Sequence, residues 1–203
     1  MEITREDNAK IAAAVHAAEA ATTGEIVCVV ARASSTYGAM PVLWAALAAL
    51  CIPWPLIAFT HWPVQHIYIA QLVVFALALA VLSTGSIRVT LTPRPIRRAN
   101  AHRAAMEQFY IRGVTRTKAR TGVLIFVSLA ERYVRIVADE AIDSKVRHAE
   151  WQGAVNALIE HMREDRLAEG YVAAIARCGA ILSRHFPADG EAKNELPDRL
   201  FII

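Results

Sequence analysis

Between Ala33 and Ile87 the chain contains no Asp, Glu, Lys or Arg, although charged residues make up 20% of the 203. A charge at the centre of a bilayer costs about 2.5–3.5 kcal/mol on insertion scales, so the long uncharged run is what a membrane segment requires. Cysteine is scarce as well. Cys28, Cys51 and Cys178 are too few and too scattered for a disulfide framework or a zinc knuckle, and they fit a reducing compartment. GxGxxG, GxxxxGK[ST] and HExxH are missing, which removes the usual nucleotide loops and the zincin site. Internal repeats and low-complexity linkers are also lacking. The formal charge of +3 is small, and nothing in it calls for nucleic acid.

What is present begins with two apolar arms. Residues 41–59 are close to the roughly 20 residues that cross the hydrocarbon at about 1.5 Å each, and residues 67–83 are near the lower limit. His61 to His66, with Trp62 and Pro63, form a turn suited to an interface. The reading is a transmembrane helical hairpin over 40–84, with Pro53 and Pro55 kinking or fraying the end of its first arm. Arg32 precedes it, and Arg88, Arg94, Arg97, Arg98 and Arg103 follow it. The connecting turn has neither Lys nor Arg. By the positive-inside tendency, the expectation is an integral protein of the inner (cytoplasmic) membrane with its globular part facing the cytoplasm. Anionic headgroups would attract the arginines at about 1 kcal/mol each. The polar, acidic start of the chain resembles no signal peptide.

The remainder reads as one discontinuous α/β domain over 1–32 and 95–190, followed by a tail over 191–203. Thr4 to Asp7 resembles a capping box, and Ile11, Val15, Ala18 and Ala21 recur at helical spacing up to Thr22-Thr23-Gly24. Glu25–Arg32 is a buried strand. A helix over Pro95–Ile111 leads to a second strand, Thr121–Leu129, and a short turn to a third, Tyr133–Ala138, antiparallel to it. The crossover helix allows the first two strands to pair in parallel. Helices over His148–Met162 and Leu167–Phe186 close the chain.

Several strings in this order resemble the TPM domain. They are Thr23-Gly24-Glu25-Ile26-Val27, Gln108-Phe109, the stretch from Arg120 to Ser128, Val134 to Asp139, Ile142, Lys145-Val146, Gly179 and His185-Phe186-Pro187. The resemblance implies a small Rossmann-like α/β/α sandwich, here with the hairpin inserted after the first strand. Members are associated with photosystem repair, with an auxiliary role on a nematode receptor, and with acid phosphatase activity and calcium binding. The family's acidic site carries over to Asp139, with Asp143 nearby, as the candidate metal ligands for Ca²⁺ or Mg²⁺. Where many relatives have a glycine two positions after this aspartate, the chain has Ala141, and its domain is expected inside the cytosol rather than outside; both departures count against calcium and phosphatase chemistry.

The residues on their own leave two readings of that cluster. Asp139, Glu140 and Asp143 offer carboxylates to a hard cation, or Asp139 caps the next turn and the others are solvated acids at a helix start. The C-x5-R spacing of Cys178 and Arg184 sits inside an amphipathic helical pattern with no strand to present a thiolate, so Cys178 reads as core. His16, His102, His148, His161 and His185 stand singly. Arg112, Arg116, Lys118 and Arg120 form a basic loop suited to solvent, phosphate or headgroups, and Ser128 ends a strand without a neighbouring His or Asp. The favoured function is an interaction or assembly module at the cytoplasmic membrane face that docks on a membrane protein. The competing one is a divalent-metal-dependent phosphohydrolase.

Overall fold

The computed structural model describes residues 3–188 and 194–203, the side chain of Ser86 excepted. In chain order the elements are α1 (Arg5–Glu19), β1 (Glu25–Ala31), α2 (Ala39–Cys51), α3 (Pro53–Phe59), α4 (Val64–Leu82), α5 (Gly85–Thr90), α6 (Arg94–Ile111), β2 (Gly122–Ser128), β3 (Tyr133–Ala138), α7 (Glu140–Asp143), α8 (Gln152–Arg163), α9 (Leu167–His185) and β4 (Leu200–Ile202). They fall into two compact units, Met1–Ser34 with Asn100–Ile203, and Ser35–Ala99.

The first unit is an α/β sandwich on a four-stranded sheet of order β3-β2-β1-β4. β1 runs parallel to β2 in the register Glu25 opposite Gly122 through Ala31 opposite Ser128, while β3 is antiparallel to β2. Every residue of β1 and β2 is buried, which explains why both read as continuous β-branched runs rather than alternating ones. Alternate side chains divide between two cores. Ile26, Cys28, Val30, Val123, Ile125 and Val127 pack with α1, α8 and α9. Val27, Val29, Ala31, Leu124 and Phe126 pack with Ala105 and Phe109 of α6.

Local chemistry fixes the ends. Thr4 Oγ1 accepts the Asp7 amide at 3.1 Å while the Asp7 carboxylate accepts the Thr4 amide at 3.0 Å, a reciprocal cap worth about 1 kcal/mol. α1 stops at Glu19, three residues before Thr22. Gly122 admits no side chain, since a Cβ there would lie 2.5 Å from both Val114 Cγ1 and Val114 O. Gly179 lets α9 approach Ala18 of α1 in the same way. Buried Tyr171 donates its hydroxyl to Val29 O at 2.7 Å, tying α9 to the sheet.

The C-terminal stretch, expected as a tail, contains β4, which adds a parallel strand beside β1. Residues 189–193, spanning the boundary between the expected domain and tail, lie outside the described residues. The predicted helix from His148 begins as a 3₁₀ turn over His148–Trp151 and becomes α-helical at Gln152.

The second unit holds the two apolar helices. Ala39–Phe59 and Val64–Leu82 have mean hydropathies of 2.1 and 2.0, and each is long enough to cross a membrane. The first is interrupted at Ile52, where Pro53 and Pro55 supply no amide donors, yet Ile52 keeps helical dihedrals and the path continues. α2 packs against α4. Its buried residues Pro41, Ala45 and Ala49 recur every fourth position, and small residues at such a seam let helix backbones approach closely. The short α5 after the hairpin was not apparent in the sequence.

Candidate functional site

β3 is antiparallel to its neighbour, so Asp139 emerges at the amino ends of β1 and β2, and its amide donates to Gly122 O at 2.9 Å. Open α/β sheets seat their ligands at the opposite, carboxyl ends. Asp139 is buried, with 3% of its surface accessible. Its Oδ1 accepts the Glu140 amide at 2.8 Å and its backbone oxygen accepts the amides of Ile142 and Asp143, the pattern of a cap on α7. Its Oδ2 lies 2.9 Å from Arg120 Nε, whose guanidinium also approaches Glu140 at 3.4 Å. Asp143 is exposed. Among the described residues no three His, Cys, Asp or Glu side chains converge on a point where a metal ion would sit. The set fits a cap and an ion pair better than Ca²⁺ or Mg²⁺, because a cation would have to displace Arg120.

Two of the four basic side chains of the loop, Arg112 and Arg120, are committed to the fold, while Arg116 and Lys118 are exposed. Arg112 donates to Gln108 Oε1 and stacks 4.0 Å over the Phe201 ring, Arg120 pairs with Asp139, and the Lys118 amide donates to Glu195.

Two further clusters escaped sequence reasoning. At the carboxyl ends of β1 and β2, Ser34 Oγ donates to Ser128 Oγ at 2.8 Å, Ser128 Oγ donates to Glu131, and the Ser34 amide donates to Glu131 Oε1 at 2.9 Å. This clip joins the exit of β1 to the β2–β3 turn. The acid three residues beyond Ser128 was its one sequence signal.

The other cluster lies at the start of β1. Glu25, 7% accessible, accepts the amides of Glu195 at 3.2 Å and Leu196 at 3.1 Å. Glu19 accepts the Ile26 amide at 2.7 Å, and Asp198 lies 3.3 Å from His16. Burial, then the neighbouring charges of Glu25 and Asp198, push the Glu19 carboxyl up to about 8, against the Ile26 hydrogen bond. Burial raises Glu25 likewise, and its two amide donors oppose the rise. An acid opening an otherwise apolar strand was the signal here.

Cysteine and histidine fall where packing puts them. Cys178 lies in the core within α9, where burial pushes its thiol up to about 12, far from thiolate chemistry. Cys28 is buried too, and its thiol is raised well above the ordinary range by the same burial. His161 contacts Ala157 O at 2.8 Å, and His185 lies 3.6 Å from Glu150. His102 and His148 are exposed.

Among curated proteins nothing matches the chain. Its fold is similar to that of the BA42 protein from the psychrophilic bacterium Bizionia argentinensis, solved by NMR. That likeness has a TM-score of 0.63 at 18% identity and covers 100% of this chain and 97% of that one. The TPM domain family matches residues 71–181, more than half of the chain, from within α4 through most of α9 and including β2, β3 and the Asp139 cap. Together with the sandwich, this match settles the family: the chain belongs to the TPM domain family.

Proposed function

We propose that this protein is a membrane-anchored TPM domain that acts as an interaction or assembly module, docking on a membrane protein at the cytoplasmic face of the inner membrane. One observation carries the anchoring. Only 11% and 6% of the most apolar windows of the two long helices are buried within the chain. A core helix of a soluble protein would be mostly covered, whereas here Trp54, Phe59, Leu72 and Leu77 all stand more than 60% exposed. Lipid is the environment that makes such surface stable. The orientation rests on the arginines that flank the hairpin and on their absence from its turn.

The interaction reading is favoured because the buried polar groups at the strand ends of the sandwich are spent internally. Asp139 caps and pairs, Ser128 clips, and Glu25 holds the C-terminal segment. The competing metal-dependent phosphohydrolase needs Arg120 to release Asp139 so that Asp139 and Asp143 can hold an ion.

The test uses the full chain, first in native membranes and then purified in detergent. The expected outcome is resistance to alkaline extraction from native membranes, co-purification of a stoichiometric membrane-protein partner, and no turnover of a generic phosphate ester. Turnover that is lost on chelation and in Asp139→Ala overturns the interaction reading in favour of the enzyme.

A further inference from the structure

Between Glu25 and Glu107 the sequence contains no acidic residue, so the arginines in that interval have no acid of their own stretch to pair with. Four of them, Arg88, Arg94, Arg97 and Arg98, belong to the same compact unit as the apolar helices. None makes an ion pair among the described residues. Arg94, Arg97 and Arg98 occupy the first turns of α6, which holds no acidic residue at its start. Cations are unfavourable at that positive end of a helix.

Arg88 and Arg97 add an independent sign. Both are partly buried, and the Nε of each is shielded from solvent yet meets no acceptor among the described residues. A shielded guanidinium donor without an acceptor is costly and asks for an anion. Ile87, directly before Arg88, and Ile96, between Arg94 and Arg97, stand exposed. Arginines interleaved with exposed isoleucines, directly after a lipid-crossing helix, match the two-sided chemistry of the headgroup layer, with phosphate for the guanidinium and upper acyl chain for the isoleucine.

We infer that the segment from α5 through the first turns of α6 is a built surface for anionic lipid, with Arg88, Arg94, Arg97 and Arg98 binding headgroup phosphates of the bilayer that holds the hairpin. This deepens the membrane-anchored reading and rests on it. It differs from general attraction of a basic flank because it assigns the phosphates to four residues, two of which carry shielded donors without acceptors.

The experiment takes the full chain in neutral detergent micelles and titrates in phosphatidylglycerol or phosphatidylcholine, reading the melting temperature. Phosphatidylglycerol is expected to half-saturate at about tenfold lower mole fraction than phosphatidylcholine. Replacing all four arginines by Gln removes that preference, and replacing them by Lys keeps most of it. An equal response to both lipids overturns the inference, as does preference retained in a folded Gln variant. A shift of the same size from inorganic phosphate alone overturns the lipid as the ligand. Insertion into phosphatidylcholine vesicles, read by alkaline extraction, separates the two claims. If the wild type is extracted, the membrane reading itself fails; if it stays and shows no headgroup preference, only the lipid surface does.

Discussion

Arg120 sits in the left-handed region at φ 55, and from there its guanidinium reaches the buried carboxylate of Asp139. Removing one partner of a buried pair strands the other, at a cost of about 3–5 kcal/mol when both are buried. Half of the Arg120 side chain is exposed, so solvent takes up part of that loss. Arg120→Ala is therefore expected to destabilise the sandwich by about 1–2 kcal/mol, read as a shift in the denaturant midpoint. Asp139→Asn should cost less, because an amide oxygen still caps α7. If Asp139 instead served a metal, Arg120→Ala would free it, and added Ca²⁺ would raise the melting temperature of that variant. The expected result is no such rise. Gly122→Ala should be the harsher change at this end, since its Cβ meets Val114 backbone that cannot swing aside. Overpacking of that kind costs about 1–3 kcal/mol.

Among the elements, β4 shows why some of the fold was hidden and some was plain. β1 and β2 announce themselves through continuous apolar, β-branched-rich runs, β3 through Val134, Ile136 and Val137 after a short turn, and the capping box at Thr4 is local in sequence. β4 has only three residues, and its place is set by groups far away in sequence. The Leu200 amide donates to Asn8, Ile203 exchanges hydrogen bonds with Val30 and Arg32, and the amides before it donate to Glu25. No window around Leu200 carries that information. The Asp139 end was half legible: its acids and its cap could be read, but not Arg120 approaching from the loop before β2, which depends on the antiparallel pairing of β3. The buried acids at the start of β1 make stability depend on pH. Glu19 keeps its proton in the folded state up to about pH 8 but loses it near 4.5 when unfolded, so the folded protein binds more protons in that window. Stability then falls as pH rises from about 5 to 8, by a few kcal/mol at about 1.4 kcal/mol per unit, and levels off above. Glu25 acts in the same direction. Denaturant midpoints at pH 6 and pH 9 should differ clearly in the wild type and much less in Glu19→Gln; equal slopes in both would remove Glu19 from the account.

For the molecule as a whole, the cysteines provide a direct reading of orientation. Cys28 and Cys178 are buried, with thiols raised far above neutrality, whereas Cys51 is exposed. A Cys51→Ser protein should therefore be silent toward maleimide while folded, because the thiolate is the reactive form and neither remaining thiol is accessible. Into that background a single cysteine is placed either at His61, exposed in the turn between the two apolar helices, or after Ile203. With both arginine-bearing flanks in the cytoplasm, a membrane-impermeant maleimide labels His61→Cys on intact cells after the outer barrier is opened. It labels the C-terminal cysteine only once the inner membrane is broken. The reverse pattern would place the sandwich outside and void the cytoplasmic docking role. Labelling of both sites on intact cells would mean that the hairpin enters and leaves without crossing, so that the break at Ile52 marks a re-entrant turn. The arginines following α4 would then have no cytoplasmic leaflet to meet. Their preference for phosphatidylglycerol in micelles, which requires no sidedness, would survive that outcome, so orientation and lipid binding are decided by separate measurements.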